Sequence, residues 1–188
     1  MDRVLLLRRW VLNEPNKEMS LDSIDPNFTQ DLLDSDKSVW VVAQNLRLNG
    51  YTVTLPPISI RPNTTLIKEY ADSGDLLVGT DIIEIKQRPD LDFNSTEEFP
   101  YSDIIVDVKH HYDSLKTPPK YYLICNSSLK GAIVVSNKTR NFWTESTRWD
   151  RKRGRKRTFY LVSLKLCHYW KFGETPKFNL PCEQPLLQ

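Results

Sequence analysis

Apolar residues recur at helical spacing in the first clear element of the chain. In DKSVWVVAQNLRLNG, residues 36–50, they stand at positions 39, 42, 43, 46 and 48, and Gly50 follows. This spacing predicts an amphipathic helix that ends at Gly50, with Asp36 or Ser38 as the candidate N-cap. Residues 1–35 mix one short apolar run with Pro, Asp and Asn, so we expect an N-terminal arm with at most a strand or a turn of helix.

Short apolar runs bounded by turn residues predict several strands after this helix. In chain order they are YTVTL, DLLV, DIIEIK, SDIIVDV, KYYLICN, GAIVVS and TFYLVSLKL. The segment NKTRNFW is predicted to form a short helix, and the proline-containing tail from Gly173 to be extended or disordered. The pattern predicts a single domain of the α/β or α+β layer type, with a mixed β-sheet and a few helices, a core over residues 36–172 and a tail over 173–188.

The hairpin formed by DLLV and DIIEIK places charged residues at defined positions. Gly79 and Thr80 separate the two runs, and Gly at the first central position suits a two-residue type II′ turn. This turn sets a register in which Asp75 falls opposite Glu84, and alternation puts Lys86 on the face of Glu84. The apolar residues Leu76, Val78, Ile83 and Ile85 share the opposite face.

Two opposed carboxylates on a half-buried hairpin cost stability unless a cation compensates them. Hard carboxylate oxygens suit Mg²⁺, which keeps several waters and binds through one or two carboxylates plus a substrate phosphate. Such an ion polarises a phosphoryl oxygen and activates a bound water, while Lys86 would orient that water. The alternative without a bound metal is a solvent-exposed polar face whose ion pair contributes less than about 1 kcal/mol to stability.

Gly74-Asp75 followed by EIK at residues 84–86 on adjacent strands resembles the PD-(D/E)XK phosphodiesterase superfamily, the restriction-endonuclease-like nucleases. Gly74 stands where proline is usual. The resemblance implies a restriction-endonuclease-like fold and Mg²⁺-dependent hydrolysis of DNA that leaves a 5′-phosphate, with Mn²⁺ as a substitute. It implies that Asp75, Glu84 and the carbonyl oxygen of Ile85 hold the metal, and that Lys86 assists the attacking water.

The resemblance continues beyond the EIK motif. EIKQRPDLDF is similar to the region of structure-specific nucleases in which an aspartate follows the lysine, a place that Asp92, or alternatively Asp90, would take. Gln87, Arg88 and Asp92 would then form a second tier near the scissile phosphate. The longer run to residue 107 resembles small nuclease-like proteins of bacteriophage genomes, which implies the cytoplasm, and the host cytoplasm for a phage protein.

One position departs from the family pattern. Many members carry a glutamate on the helix before the hairpin, where this chain has Gln44. Glu69, just before the hairpin, is the candidate replacement. The third metal ligand therefore stays open.

A second charged strand competes with the hairpin. SDIIVDVK places Asp103, Asp107 and Lys109 on one face by alternation, which imitates the EIK arrangement. It lacks a preceding hairpin turn, so we interpret it as structural or as lying beside the substrate. His110 and His111 would point to opposite faces of a strand and are interpreted as surface residues.

Positive charge is concentrated at residues 148–157, RWDRKRGRKR, with seven basic residues and one acid in a chain of net charge +2. Gly154 suggests the tip of a basic hairpin or lid, which would neutralise phosphates without reading sequence. Aromatic residues for stacking on bases are interleaved at Trp143, Trp149 and Tyr160, with a core role favoured for Tyr160. The predicted phosphate contacts are Arg148, Arg151, Lys152, Arg153, Arg155, Lys156 and Arg157.

Composition narrows the alternatives. Cys125, Cys167 and Cys182 are odd in number and show no CxxC spacing, which argues against a disulfide framework and a zinc site and favours a reducing compartment. MDRVLLLRRW is too short for a signal peptide or a membrane span. The expected partner is DNA, whether duplex, branched or single-stranded, and a homodimer is possible. The rival interpretations are a nucleic-acid-binding protein that lost catalysis on the same fold, and an interaction protein without a nucleic-acid ligand.

Overall fold

The computed structural model describes residues 26–56, 74–150 and 153–178. The helices are α1 (Pro26–Leu48) and α2 (Lys109–Ser114), with 3-10 helices at Asn137–Phe142 and Leu164–Leu166. The strands are β1 (Val53–Thr54), β2 (Leu76–Val78), β3 (Asp81–Gln87), β4 (Asp103–Val108), β5 (Tyr121–Cys125), β6 (Gly131–Ser136), β7 (Thr144–Asp150), β8 (Arg155–Ser163) and β9 (His168–Lys171).

The described residues form two sheets. The larger is mixed, with strand order β1-β2-β3-β5-β6-β9, and β3 and β5 are its parallel pair. The smaller is antiparallel, with order β4-β8-β7. The prediction of an α/β domain with a mixed sheet and few helices is confirmed.

The larger sheet is buried on both faces. One face packs against α1, where Val42 and Leu46 meet Ile83 and Ile85 in one apolar cluster. The opposite face packs against the smaller sheet in a second cluster that is rich in aromatic residues, including Tyr122, Trp143 and Tyr160. The order is therefore helix, six-stranded sheet, three-stranded sheet. Because side chains alternate along β3, Glu84 and Lys86 point toward the smaller sheet.

Helix α1 begins earlier than predicted. It starts at Pro26, so the arm prediction is wrong for residues 26–35, whereas residues 1–25 lie outside the described part. Proline is compatible with a first helical turn, where its missing N–H is not needed. Asp36 and Ser38 are not N-caps: Asp36 Oδ2 accepts a 3.1 Å bond from Trp40 Nε1, and Ser38 Oγ donates to the Ser35 carbonyl oxygen at 2.8 Å. No helix in the described ranges combines the length and apolarity that a membrane crossing requires.

The start of the tail is packed rather than disordered. Phe178 is buried, with its ring centroid 5.1 Å from that of Tyr121 and 5.4 Å from that of Trp170. Trp170 Nε1 donates a 2.9 Å hydrogen bond to the Glu174 carbonyl oxygen, which fixes the turn after β9. Of the two predicted alternatives, extended or disordered, the disordered one is therefore wrong for residues 173–178, and residues 179–188 lie outside the described part.

Candidate active site

The β2–β3 hairpin has the predicted register. Val78 pairs with Asp81 and Leu76 with Ile83. Gly79 has a φ of 59°, whereas the φ of Thr80 is not positive. This combination of φ angles is that of a type II′ turn. The apolar face of the hairpin packs under α1 as expected, so the opposite face is left to the charged side chains.

Gly74 is required by the backbone that introduces Asp75. Its φ of 96° lies in the left-handed region, which proline cannot reach because its ring fixes φ near −65°. A Cβ at this position would also collide with the Ile82 side chain. The departure from proline that the sequence shows therefore has a local conformational cause.

Asp75 is held against β3 by its side chain. Strand β2 begins at Leu76, and in the residue before it Asp75 Oδ2 accepts a hydrogen bond from the Ile85 N–H at 2.6 Å. One carboxylate is thereby placed at the middle residue of the EIK motif. The predicted position of Asp75 opposite Glu84 lies one residue beyond the paired part of the hairpin, which ends at Leu76 and Ile83, and it stays a prediction.

Lys86 joins the hairpin to the rival strand. Its Nζ lies 3.8 Å from Glu84 Oε1 and 3.3 Å from Asp107 Oδ1. Asp107 is 5% exposed, against 24% for Glu84 and 28% for Lys86. The two charged motifs that the sequence offers as alternatives thus meet in one place. We call Glu84, Lys86, Asp107 and His111 the acid–lysine cluster.

A bulge in β4 turns Asp107 inward. The β4–β8 register shifts between Ile105 and Asp107, and Val106 and Asp107 are consecutive buried residues. The predicted shared face of Asp103, Asp107 and Lys109 is therefore wrong, because a bulge breaks strict alternation. Asp103 instead accepts a 2.7 Å bond from Ser102 Oγ.

His111 contacts Asp107 from the first turn of α2. Its Nδ1 lies 3.0 Å from Asp107 Oδ2, and the side chain is 51% exposed. The Val108 N–H donates to Asp107 Oδ1 at 2.7 Å. The interpretation of His111 as a surface residue missed this contact, because the β4–α2 junction places the two side chains four residues apart on one side. His110 is exposed, as predicted.

The charges of the cluster stabilise one another. Burial alone would raise the pKa of Asp107, but the hydrogen bond from His111, the Lys86 ammonium and the Val108 N–H outweigh it, so that this pKa is lowered. The hydrogen bond to Asp107 raises the pKa of His111, and the negative charges of Asp107 and Glu84 add to this against partial burial. At neutral pH Asp107 is therefore ionised.

Tyr122 forms the floor of the cluster. Its hydroxyl is buried and makes no hydrogen bond of ordinary geometry within the described ranges, although it lies close enough to Asp107 for that carboxylate to affect its pKa. Burial, followed by the negative charges of Asp107 and Glu84, raises the pKa of Tyr122, so the hydroxyl stays neutral. Lys86 Nζ lies 5.7 Å from the centre of the Tyr122 ring. The ammonium thus sits between carboxylates and an aromatic face.

The side chains near Ile85 suit a hard cation by their chemistry. Asp75 and Glu84 offer carboxylate oxygens on adjacent strands, which is the minimum that Mg²⁺ needs when waters and a substrate phosphate complete its shell. Among residues 26–56, 74–150 and 153–178, no group of three or more His, Cys, Asp or Glu side chains is arranged to hold a metal ion. The donor set therefore fits an ion shared with substrate, not a preformed cage.

The predicted second tier contacts the loop after β5. Gln87 Nε2 donates to the Ser127 carbonyl oxygen at 3.4 Å, and Asp92 Oδ1 accepts from Ser128 Oγ at 2.7 Å. Burial lowers the pKa of Arg88, although nearby Tyr101 partly opposes this. The printed contacts of Gln87 and Asp92 are thus with the loop after β5, not with Lys86. The alternative third ligand, Glu69, lies outside the described residues.

The basic segment forms the predicted hairpin. Strands β7 and β8 pair Arg148 with Arg157 and Asp150 with Arg155, and Gly154 in the turn has a φ of 59°. Arg157 Nη1 also bonds Asp150 Oδ2 at 2.9 Å. Of the predicted phosphate contacts, Arg148, Arg153, Arg155, Lys156 and Arg157 are described, whereas Arg151 and Lys152 lie outside.

The three aromatic candidates separate by burial. Trp149 is 60% exposed, whereas Trp143 and Tyr160 are buried in the second apolar cluster. Only Trp149 among them is available for stacking on a base, and the core role favoured for Tyr160 is confirmed.

Lys109 anchors α2 to the smaller sheet. Its Nζ donates to Tyr160 OH at 2.7 Å and lies 2.9 Å from both Asp113 Oδ2 and Glu145 Oε1. Tyr160 OH donates in turn to Asp113 Oδ1 at 2.8 Å. The bond to Tyr160 leads the contacts that raise the pKa of Lys109. This lysine therefore fixes the helix that carries His111.

Comparison with protein-family models, with curated proteins and with solved structures finds no match to this chain. Its function must therefore be argued from the chain's own geometry.

Proposed function

We propose that this protein is a metal-dependent nuclease of the PD-(D/E)XK type that hydrolyses phosphodiester bonds in DNA. The observation that carries the proposal is the 2.6 Å bond from the Ile85 N–H to Asp75, which holds the first acid of the motif against the backbone of the residue between its glutamate and lysine. The hairpin lies in a mixed sheet covered by a helix, as a restriction-endonuclease-like fold requires.

Each motif residue has a role that its position supports. Asp75, Glu84 and the carbonyl oxygen of Ile85 would hold Mg²⁺, with Mn²⁺ as a substitute. The bound ion would supply Lewis-acid activation of the phosphate and of water. Lys86, 28% exposed, would orient the attacking water and offset charge that develops on the phosphate. Asp107 holds the Lys86 ammonium in place from the buried side, and the expected product carries a 5′-phosphate.

A second candidate is a nucleic-acid-binding protein without catalysis. Two observations favour it: Lys86 is already paired with Asp107 at 3.3 Å, and the described residues contain no group of three metal-ligating side chains. The basic β7–β8 hairpin serves both candidates, because it would neutralise phosphates in either case.

A cleavage assay distinguishes the two candidates. Supercoiled plasmid, single-stranded DNA and branched DNA are incubated with Mg²⁺ or Mn²⁺ and, separately, with EDTA. We expect metal-dependent cutting that Glu84→Gln and Lys86→Ala both abolish. Lys120→Ala is the matched control, because Lys120 pairs with Asp81 at the other end of β3 at 2.6 Å.

Each outcome has a defined meaning. Cutting that survives in both variants would remove this site assignment. Absence of cutting on every substrate, together with tight salt-sensitive DNA binding and no Mg²⁺ signal in calorimetry, would establish the binding protein instead.

A further inference from the structure

A groove runs between α2 and the basic hairpin. Lys109, His110 and Asp113 of α2 and residues 155–158 of β8 line a cavity of about 460 Å³. This volume falls in the range of roughly 300–1,000 Å³ that is typical of ligand sites. The cavity is open, and its β8 wall is basic.

Trp149 lies on the face of the hairpin that is turned toward α2. It pairs with Lys156, and Thr147 pairs with Thr158, so these four side chains share one face. Tyr160 follows on the same face of β8, and its hydroxyl contacts Lys109 and Asp113 of α2. The exposed indole therefore continues the line of the groove beyond the cavity.

We infer that this groove binds single-stranded nucleic acid, with one base stacked on Trp149 and the adjoining phosphates on the basic side chains of β8. An aromatic side chain that is 60% exposed on a strand offers a π-face to a base. In a duplex every base is already stacked and paired, so only an unpaired base can use it. Lys156, directly opposite Trp149, supplies a positive charge beside the stacked base.

The groove shares helix α2 with the acid–lysine cluster. His110 lines the cavity, and the next residue, His111, contacts Asp107 at 3.0 Å. A strand that lies in the groove would therefore lie against the helix that carries His111. This part of the inference rests on the proposed function, whereas strand binding itself does not need catalysis.

The test measures binding in EDTA, which keeps it independent of metal-dependent cleavage. Fluorescence anisotropy is recorded for a labelled oligothymidylate of about 16 nucleotides and for its duplex with oligoadenylate. We expect the single strand to bind more tightly than the duplex. Trp149→Ala should weaken single-strand binding about 5- to 150-fold, the range that corresponds to one stacked base.

Two further variants control for folding and for general surface effects. Trp149→Phe keeps an aromatic face and should retain most of the affinity. Phe142→Ala removes another exposed aromatic side chain, 68% exposed and outside the hairpin, and should bind like the wild type. Lys156→Gln should weaken binding and reduce the salt dependence by about one phosphate contact.

Two results would overturn the inference: tighter binding of the duplex, or single-strand binding that Trp149→Ala leaves unchanged. Trp149-dependent binding without cleavage in the metal assay would overturn only the nuclease proposal. Cleavage without Trp149-dependent binding would overturn only the inference about the groove.

Discussion

The contact between Asp107 and His111 predicts a pH-dependent coupling energy. His111 has a raised pKa in the folded protein, so its stabilisation is fully present below its unfolded pKa of about 6.5 and is lost as the pH rises through the folded value. Asp107 has a lowered pKa, so its stabilisation is present above about pH 4 and is lost as the pH falls through its folded value. The charged pair is therefore complete at about pH 5.

The magnitude follows from geometry and exposure. A hydrogen bond between charged groups contributes about 1.5–3 kcal/mol when shielded from water. The 3.0 Å contact has one buried partner, Asp107, and one partner that is 51% exposed, so solvent screening reduces the value. We expect a coupling free energy of about 1 kcal/mol at about pH 5 and less than about half of that at about pH 9, where His111 is neutral.

A double-mutant cycle measures this coupling. Urea unfolding is recorded at both pH values for the wild type, Asp107→Asn, His111→Gln and the double variant. His110→Gln is the matched control, because His110 is the adjacent exposed histidine, and it should show no coupling to Asp107. A coupling energy that is equal at the two pH values, or larger at the higher one, would refute the charged-pair reasoning.

Three other perturbations test the packing around the site. Gly131→Ala places a Cβ against the Tyr169 ring, so we expect the free energy of unfolding to fall by about 1–3 kcal/mol. An unchanged Tm in thermal unfolding would contradict the tight β6–β9 contact. Burial raises the pKa of Cys125 and of Cys167 to about 12. Both thiols should therefore resist alkylation by iodoacetamide at about pH 8 until urea unfolds the protein. A mass spectrum that shows either cysteine alkylated in the native protein would disprove this. Tyr122→Phe removes a buried hydroxyl without a described partner, so stability in urea should be unchanged or higher by up to about 1 kcal/mol, and a clear loss would mean that the hydroxyl is bonded.

Short-range rules predicted the hairpin correctly from the sequence. A two-residue turn at Gly79 sets the register, and alternation then places Ile83 and Ile85 on the face under α1 and Glu84 and Lys86 on the other face. Each step spans only a few residues, so no knowledge of the rest of the chain is needed. The bond from the Ile85 N–H to Asp75 was not predicted, because alternation placed Asp75 opposite Glu84.

Asp107 escaped prediction because its position depends on distant pairing. The bulge that turns it inward arises where β4 pairs with β8, whose partners Leu161 and Tyr160 lie more than fifty residues along the chain. Alternation within β4 alone placed it on the wrong face, and the contact with His111 then went unseen. Strand β7 was missed for another reason: its residues are mostly exposed, so TESTRWD carries no apolar pattern.

Strand β8 belongs to two environments at once. It is exposed at Arg155 and Lys156 and buried from Tyr160 to Val162, without a break in its pairing to β7. The basic hairpin is thus a stiff extension of a core strand, so a ligand meets backbone that is already ordered and little conformational entropy is lost on binding. The same strand continues from the hairpin tip to Tyr160, whose hydroxyl is hydrogen-bonded to Lys109 and Asp113 of α2. Strand β8 therefore connects the surface that would bind a nucleic-acid strand to the helix that carries His111.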